Sequence, residues 1–187
     1  MQTESARREE LLQAAYRYAS ERGLAEMSLR PLAASIGSSP RVLLYLFGSK
    51  DGLIRALLQR SRTEELQLLA EIRAETGGVV TVADRIWSWL AAEHRRGLLS
   101  LWLEGYARSL VEPAGPWADF ARSTVEDWLE LLASRQPDPH TGAARSERTL
   151  VLAVLRGALI DLLATGDTRR VGDAVDSFLA PRRSDRR

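Results

Sequence analysis

One stretch constrains this chain more than any other. Residues 28–53, SLRPLAASIGSSPRVLLYLFGSKDGL, hold three helix starts and two glycine stops. Ser28 stands where an N-cap belongs, and Pro31 falls in the first turn, where its missing N–H is no loss. Leu29, Leu32, Ala33 and Ile36 recur on one helical face, and Gly37 supplies a left-handed stop. Ser39 followed by Pro40 restarts a helix at once, the preferred order of cap and first helical residue. Over Pro40 to Phe47 the spacing turns Leu43 and Phe47 inward and leaves Arg41, Val42, Tyr45 and, at the margin, Leu44 outside. Gly48 ends this helix, and Ser49 caps a third. Two short helices joined by a tight turn and followed by another helix make the outline of a helix-turn-helix.

An outward arginine and tyrosine on a short helix suit contact with phosphates and base edges. In the first turn of the following helix, Asp51 complements the positive end of the helix dipole, whereas Lys50, the only lysine in the chain, opposes it. A neighbouring phosphate would account for that placement; a solvated surface charge is the plainer alternative. Charge is distributed in the same sense. The net charge is +1 over 187 residues, yet residues 1–60 carry +3, residues 61–181 carry −5 and the last six carry +3. The basic end is the end with the motif.

The run from Ala15 to Leu57, above all Leu32-Ala33, Ile36-Gly37-Ser38-Ser39 and Leu43 through Leu53, resembles the DNA-binding domain of the TetR family of transcriptional regulators. Periodicity and the resemblance together give an all-α protein of about nine helices: a helix-turn-helix domain over 1–60 and a larger helical ligand-binding and dimerisation domain over 61–181; the arginine-rich residues 182–187 read as a disordered basic tail. It implies a homodimeric repressor that binds a near-palindromic operator and is released by a small-molecule inducer. The positions that would touch DNA are Ser28, Arg30, Ser39, Pro40, Arg41, Val42, Tyr45 and Lys50. Arg41 is the first candidate for base readout, of a guanine, and Tyr45 and Lys50 match positions that grip phosphates. The chain departs from the family at Leu44 and Leu46, where an aromatic and a histidine are frequent. Those two positions keep a second reading open: a dimeric helical sensor or interaction module that has lost specific DNA binding.

Elsewhere the periodicity predicts helices over Ser5–Arg22, Asp51 to about Ala74, Thr81 to about Arg95 with a Thr81-x-x-Asp84 capping box, Leu98–Val111, Trp117–Ser134 and Ser146–Thr165. A shorter one precedes Pro181, and Leu24 and Met27 turn the first connection back towards the core. Trp87, Trp102, Tyr106, Phe120 and Trp128 recur on the apparent inner faces of three of these helices. They line either a ligand chamber, as the resemblance implies, or simply a helical core. His94, Arg95, Glu104 and Arg122 are candidate polar contacts beside them. The Ser146–Thr165 segment is apolar nearly all round, with Leu150, Val151, Val154, Leu155, Leu159 and Leu162, and carries Gly157 in its interior. Gly157 costs ~1 kcal/mol relative to alanine, a cost that close approach of another helix there would explain. With Val175 and Phe178 of the last helix, these residues are the expected two-fold dimer interface, against the alternative of a helix wholly inside a monomer.

Other classes are poorly supported. There is no cysteine, and two histidines, His94 and His140, make no metal site. No cofactor is implied. Glycine-rich phosphate loops, His-Glu-x-x-His and Gly-x-Ser-x-Gly are absent, and Glu126, Asp127 and Glu130 read as a solvated helical face, so no enzyme is expected. Arg7, Arg8, Glu9 and Glu10 interrupt any signal-peptide core, and Arg156 and Asp161 break the longest apolar stretch, which falls short of the ~20 residues of a membrane span. The expected location is the cytoplasm.

Overall fold

The structure is a computed structural model that describes residues 2–23, 27–74, 76–112 and 114–184. Among these the chain is all helical. The elements are α1 Gln2–Arg22, α2 Leu29–Ser35, α3 Pro40–Phe47, α4 Lys50–Ala74, α5 Val79–Leu90, a 3-10 turn Glu93–Arg95, α6 Arg96–Val111, α7 Phe120–Ala133, α8 Gly142–Thr165 and α9 Thr168–Ser184. Two compact units divide it: Met1–Leu66 with Gly97–Arg122, and Gln67–Arg96 with Ser123–Arg187. No described helix is long and apolar enough to cross a membrane.

In the first unit, Leu11, Ala15 and Ala19 form one buried stripe of α1. They share a core with Leu32 and Ala33 of α2, Leu43 and Phe47 of α3, and Leu53 and Leu57 of α4. Each large side chain so buried contributes about 1.5–3 kcal/mol. Leu101 of α6, Trp117 and Phe120 complete that core. Two glycines of α6 bring it close. A Cβ on Gly97 would lie 2.5 Å from the Ser20 carbonyl oxygen of α1, and one on Gly105 would lie 2.7 Å from Leu58 Cδ2 of α4. Gly97 falls between the helices predicted to end about Arg95 and to start at Leu98, where the sequence reads as a loosened join; the structure makes it a packing residue inside α6. Tyr16 is buried in α1; burial, and then the carboxylate of Glu64, raise its hydroxyl above the usual value of 10.0.

In the second unit, α5 contributes Val79, Val82, Ala83 and Ile86, α8 contributes Val151, Leu155, Leu159 and Leu162, and α9 contributes Val171, Val175 and Leu179, all buried. Arg135 donates to the Ile72 and Arg73 carbonyls, 2.9 Å each, closing the open end of α4. Asp161 of α8 accepts two hydrogen bonds from Arg170 of α9, at 2.9 and 2.6 Å.

Several boundaries differ from those the sequence predicts. α5 starts at Val79 with Gly78 at the N-cap and no side-chain cap, so Thr81 is a helical residue and caps nothing. Burial of Val79 and Val80 draws the first turn into the core and outweighs the capping pattern. α8 starts at Gly142, because Thr141 Oγ1 accepts from Ala144 N at 3.2 Å and caps it there. α7 starts at Phe120, after a turn that leaves Asp119 at φ 62°. α9 continues through Pro181 to Ser184, where a disordered tail from residue 182 was expected. Arg182 stabilises that last turn by donating to the Phe178 carbonyl at 2.7 Å while its guanidinium sits 3.9 Å over the Phe178 ring. Residues 185–187 of the expected tail, and Leu24, lie outside the described residues.

Candidate nucleic-acid interface

The interface is built from local chemistry. α2 ends in a Schellman motif: Gly37 takes φ 63°, and Ser38 N donates to the Ala33 carbonyl at 2.8 Å. The chain turns and α3 begins at Pro40. Ser39, extended at φ −130°, caps α3 by accepting from Val42 N at 3.3 Å. At the other end Gly48, at φ 77°, donates to the Leu44 carbonyl at 2.9 Å. Ser49 Oγ then accepts from Gly52 N at 2.9 Å and starts α4. A Cβ on Gly52 would overlap the Phe47 carbonyl oxygen, so only glycine allows α4 to leave α3 at this angle. α3 is thus held at both ends by bonds its own sequence supplies.

That fixation decides which side chains face out. Leu43 and Phe47 are buried, Leu46 is half-buried against the core, and Arg41, Val42, Leu44 and Tyr45 are exposed. Tyr45, 74% exposed, is the most exposed of the large apolar side chains on α3. Arg30 in the first turn of α2 and Lys50 in the first turn of α4 are exposed as well. Ser39 and Pro40 are half-buried, consistent with their use in the cap. Ser28 occupies the N-cap position of α2, but its hydroxyl caps nothing; Leu32 N instead meets its carbonyl at 3.2 Å. The hydroxyl is exposed. The eight residues expected at the interface therefore comprise six exposed ones, five of them with a polar or charged group, and two that serve the turn.

Residues 11–57 match the family model of bacterial regulatory proteins of the tetR family, which spans α1 to the first turns of α4. Over 180 residues the chain is 28% identical to the HTH-type transcriptional repressor AcnR of Corynebacterium diphtheriae, covering 92% of this chain and 89% of that protein. Residues 11–57 form a tetR-family domain. TetR-family regulators of known structure share the whole fold. A TetR transcription regulator from Haloarcula marismortui superposes with a TM-score of 0.75 at 20% identity, over 92% of this chain and 94% of that one. A transcriptional regulator from Saccharomonospora viridis, solved in complex with choline, gives 0.79 at 19% identity, over 94% and 96%.

The other residues singled out in the sequence fall as follows. Trp102, Tyr106 and Phe120 belong to the first unit, where the Trp102 and Tyr106 rings lie 5.2 Å apart and Phe120 is in the core. Trp87, half-buried, and Trp128, buried, belong to the second. His94 is exposed, Arg95 stacks 4.7 Å over Trp89, and Arg122 pairs with Asp119. On α8, Val151, Leu155, Leu159 and Leu162 are buried within their own unit, as is Val175 of α9, while Val154 and Phe178 are half-buried. What α8 leaves open is Leu150 at 47% exposure, Ala153, Gly157 and Ile160 at 50%. A Cβ at Gly157 would meet nothing within 4 Å. Periodicity flags an all-round apolar helix but does not say which side its own chain covers; the 150-153-157-160 spacing is the signal that picks out Ala153 and Ile160 afterwards.

Proposed function

We propose that this chain is a homodimeric repressor that binds a near-palindromic operator through α3 and leaves it when a small molecule binds. The observation that carries the reading is the division of α3: Leu43 and Phe47 are committed to the core, and Arg41 and Tyr45, one turn apart, point away from it on a helix capped at both ends. A guanidinium on a rigid short helix meets the guanine O6/N7 pair in the major groove, and exposed Arg30, Tyr45 and Lys50 supply phosphate contacts that set register. Ser28, with its hydroxyl unused by the helix, adds a further donor.

Repression is supported by likeness to a named repressor over most of the chain. Release by a ligand is supported by a structural neighbour that holds choline. Of the aromatic residues expected to line such a site, Trp102, Tyr106 and Phe120 share one unit and are the candidates there, with the Trp102 and Tyr106 rings 5.2 Å apart. Dimerisation rests on the open face of α8, Leu150, Ala153, Gly157 and Ile160, with half-buried Val154 and Phe178 as further candidates. A two-fold dimer on a near-palindromic operator presents one α3 helix to each half-site, and half-sites one helical turn apart are spaced ~34–36 Å.

The test is titration of the purified protein against its own upstream DNA and a scrambled duplex of equal length, across a range of salt. Preference for the upstream or a selected duplex by at least ~10³-fold is the expected outcome. Equal, weak and strongly salt-dependent binding to every duplex, including those from a random-sequence selection, refutes specific operator binding and favours the sensor reading.

A further inference from the structure

The outer surface of α3 is not uniformly polar. Arg41 and Tyr45 form a ridge along it, and at 100° per residue Val42 lies to one side of that ridge and Leu44 to the other. Both are exposed, Val42 at 39% and Leu44 at 41%, whereas Leu46 is half-buried against the core. The backbone polar groups nearby are spent: Val42 N donates to Ser39 Oγ, and the Leu44 carbonyl accepts from Gly48 N. Only methyl groups remain to be presented, and in valine these are held in one preferred helical rotamer. Exposed Arg30, Arg41 and Lys50 give the surroundings a positive charge that suits a polyanion rather than an apolar partner. On the major-groove face of DNA, one base offers an apolar group to such a side chain, the C5-methyl of thymine.

We propose that Val42 and Leu44 are specificity-determining residues that each pack on a thymine C5-methyl of the operator half-site, on either side of the base contacted by Arg41. The inference rests on the reading of α3 as the DNA-contacting helix and names what that helix reads. It also gives Leu44 a role in binding, where the sequence alone left it as a departure that keeps a reading without specific DNA binding open.

The experiment begins with the full-length protein and a duplex selected from a random-sequence library. Each thymine of that duplex is then replaced by 2′-deoxyuridine, which pairs identically and lacks only the methyl. At two separate positions of each half-site the replacement weakens binding by about four-fold per methyl, the transfer value of one buried carbon. Val42→Ala removes the loss at one of these positions and Leu44→Ala at the other, with the salt dependence of binding unchanged in both. Equal affinity of the unaltered protein for thymine and deoxyuridine duplexes overturns the proposal, as does a methyl dependence that survives both substitutions. In those cases selective binding of the parent duplex leaves the operator reading standing; enrichment of no sequence removes both. The deoxyuridine scan of the unaltered protein needs no variant, so a poorly folding substitution does not block the test.

Discussion

Gly157→Ala separates the folding of the chain from its pairing. Gly157 lies in the interior of a 24-residue helix, exposed, with open space where a Cβ would sit. In the isolated chain nothing resists the methyl, and replacing glycine by alanine in a helix interior stabilises by about 0.8–1 kcal/mol. That gain is present in monomer and dimer alike and cancels from the association equilibrium. What remains is the packing of the new methyl against a second copy. If α8 of a partner crosses close to Gly157, each inserted methyl costs about 1–3 kcal/mol, and two-fold symmetry applies the cost twice. Even the lower limit, ~2 kcal/mol, weakens dimerisation about 30-fold. Sedimentation equilibrium measures the dimer constant, and denaturation at several protein concentrations separates it from stability of the monomer. The expected result is a more stable monomer and a weaker dimer. A dimer constant that is unchanged or tighter, with the monomer stabilised, would falsify close approach at Gly157 and move the interface elsewhere on the molecule.

Three further outcomes follow from the geometry. Arg41→Ala should cost ~1–3 kcal/mol and relax preference at one operator position, while Lys50→Ala should weaken specific and random DNA alike and lower the salt slope by about one; equal losses on both duplexes for Arg41→Ala count against its base-reading role. Gly52→Ala should disrupt the α3–α4 elbow, because the methyl meets the backbone oxygen of Phe47, which has no flexible end to yield; thermal melting as stable as the parent, with DNA binding retained, would contradict that packing. Asp161 is held below the ordinary carboxylate value of 3.8, first by its hydrogen bonds from Arg170 and then by that residue's charge. A lowered folded-state value means that the pair's stabilisation is present above the unfolded value and is lost as pH falls through the folded one. Asp161→Asn should therefore melt lower than the parent near neutral pH, by a small margin for so exposed a pair, and the gap should close in acid; a gap independent of pH would show that the ion pair contributes nothing.

What the sequence determined by itself is the part of the molecule whose interactions are local. Ser39 bonds three residues ahead, Gly37 and Gly48 adopt positive φ, and the inward Leu43 and Phe47 follow from one helical turn, so the motif and its outward face are legible without any knowledge of the rest. Tertiary structure decided whatever depends on residues distant in the chain. Gly97 reads as a loosened join and is a contact with Ser20, 77 positions away. Thr81 reads as a cap, and burial of Val79 and Val80 starts α5 before it. Pro181 reads as a stop, and Arg182 bonding to Phe178 carries α9 past it. α8 is the clearest case: its sequence is apolar on every side, and only packing against α5 and α9 shows that Val151, Leu155 and Leu159 are used internally while Leu150, Gly157 and Ile160 are not. A hydrogen bond within one turn is written in adjacent residues; the choice of which apolar face to bury is made by partners that local sequence does not encode.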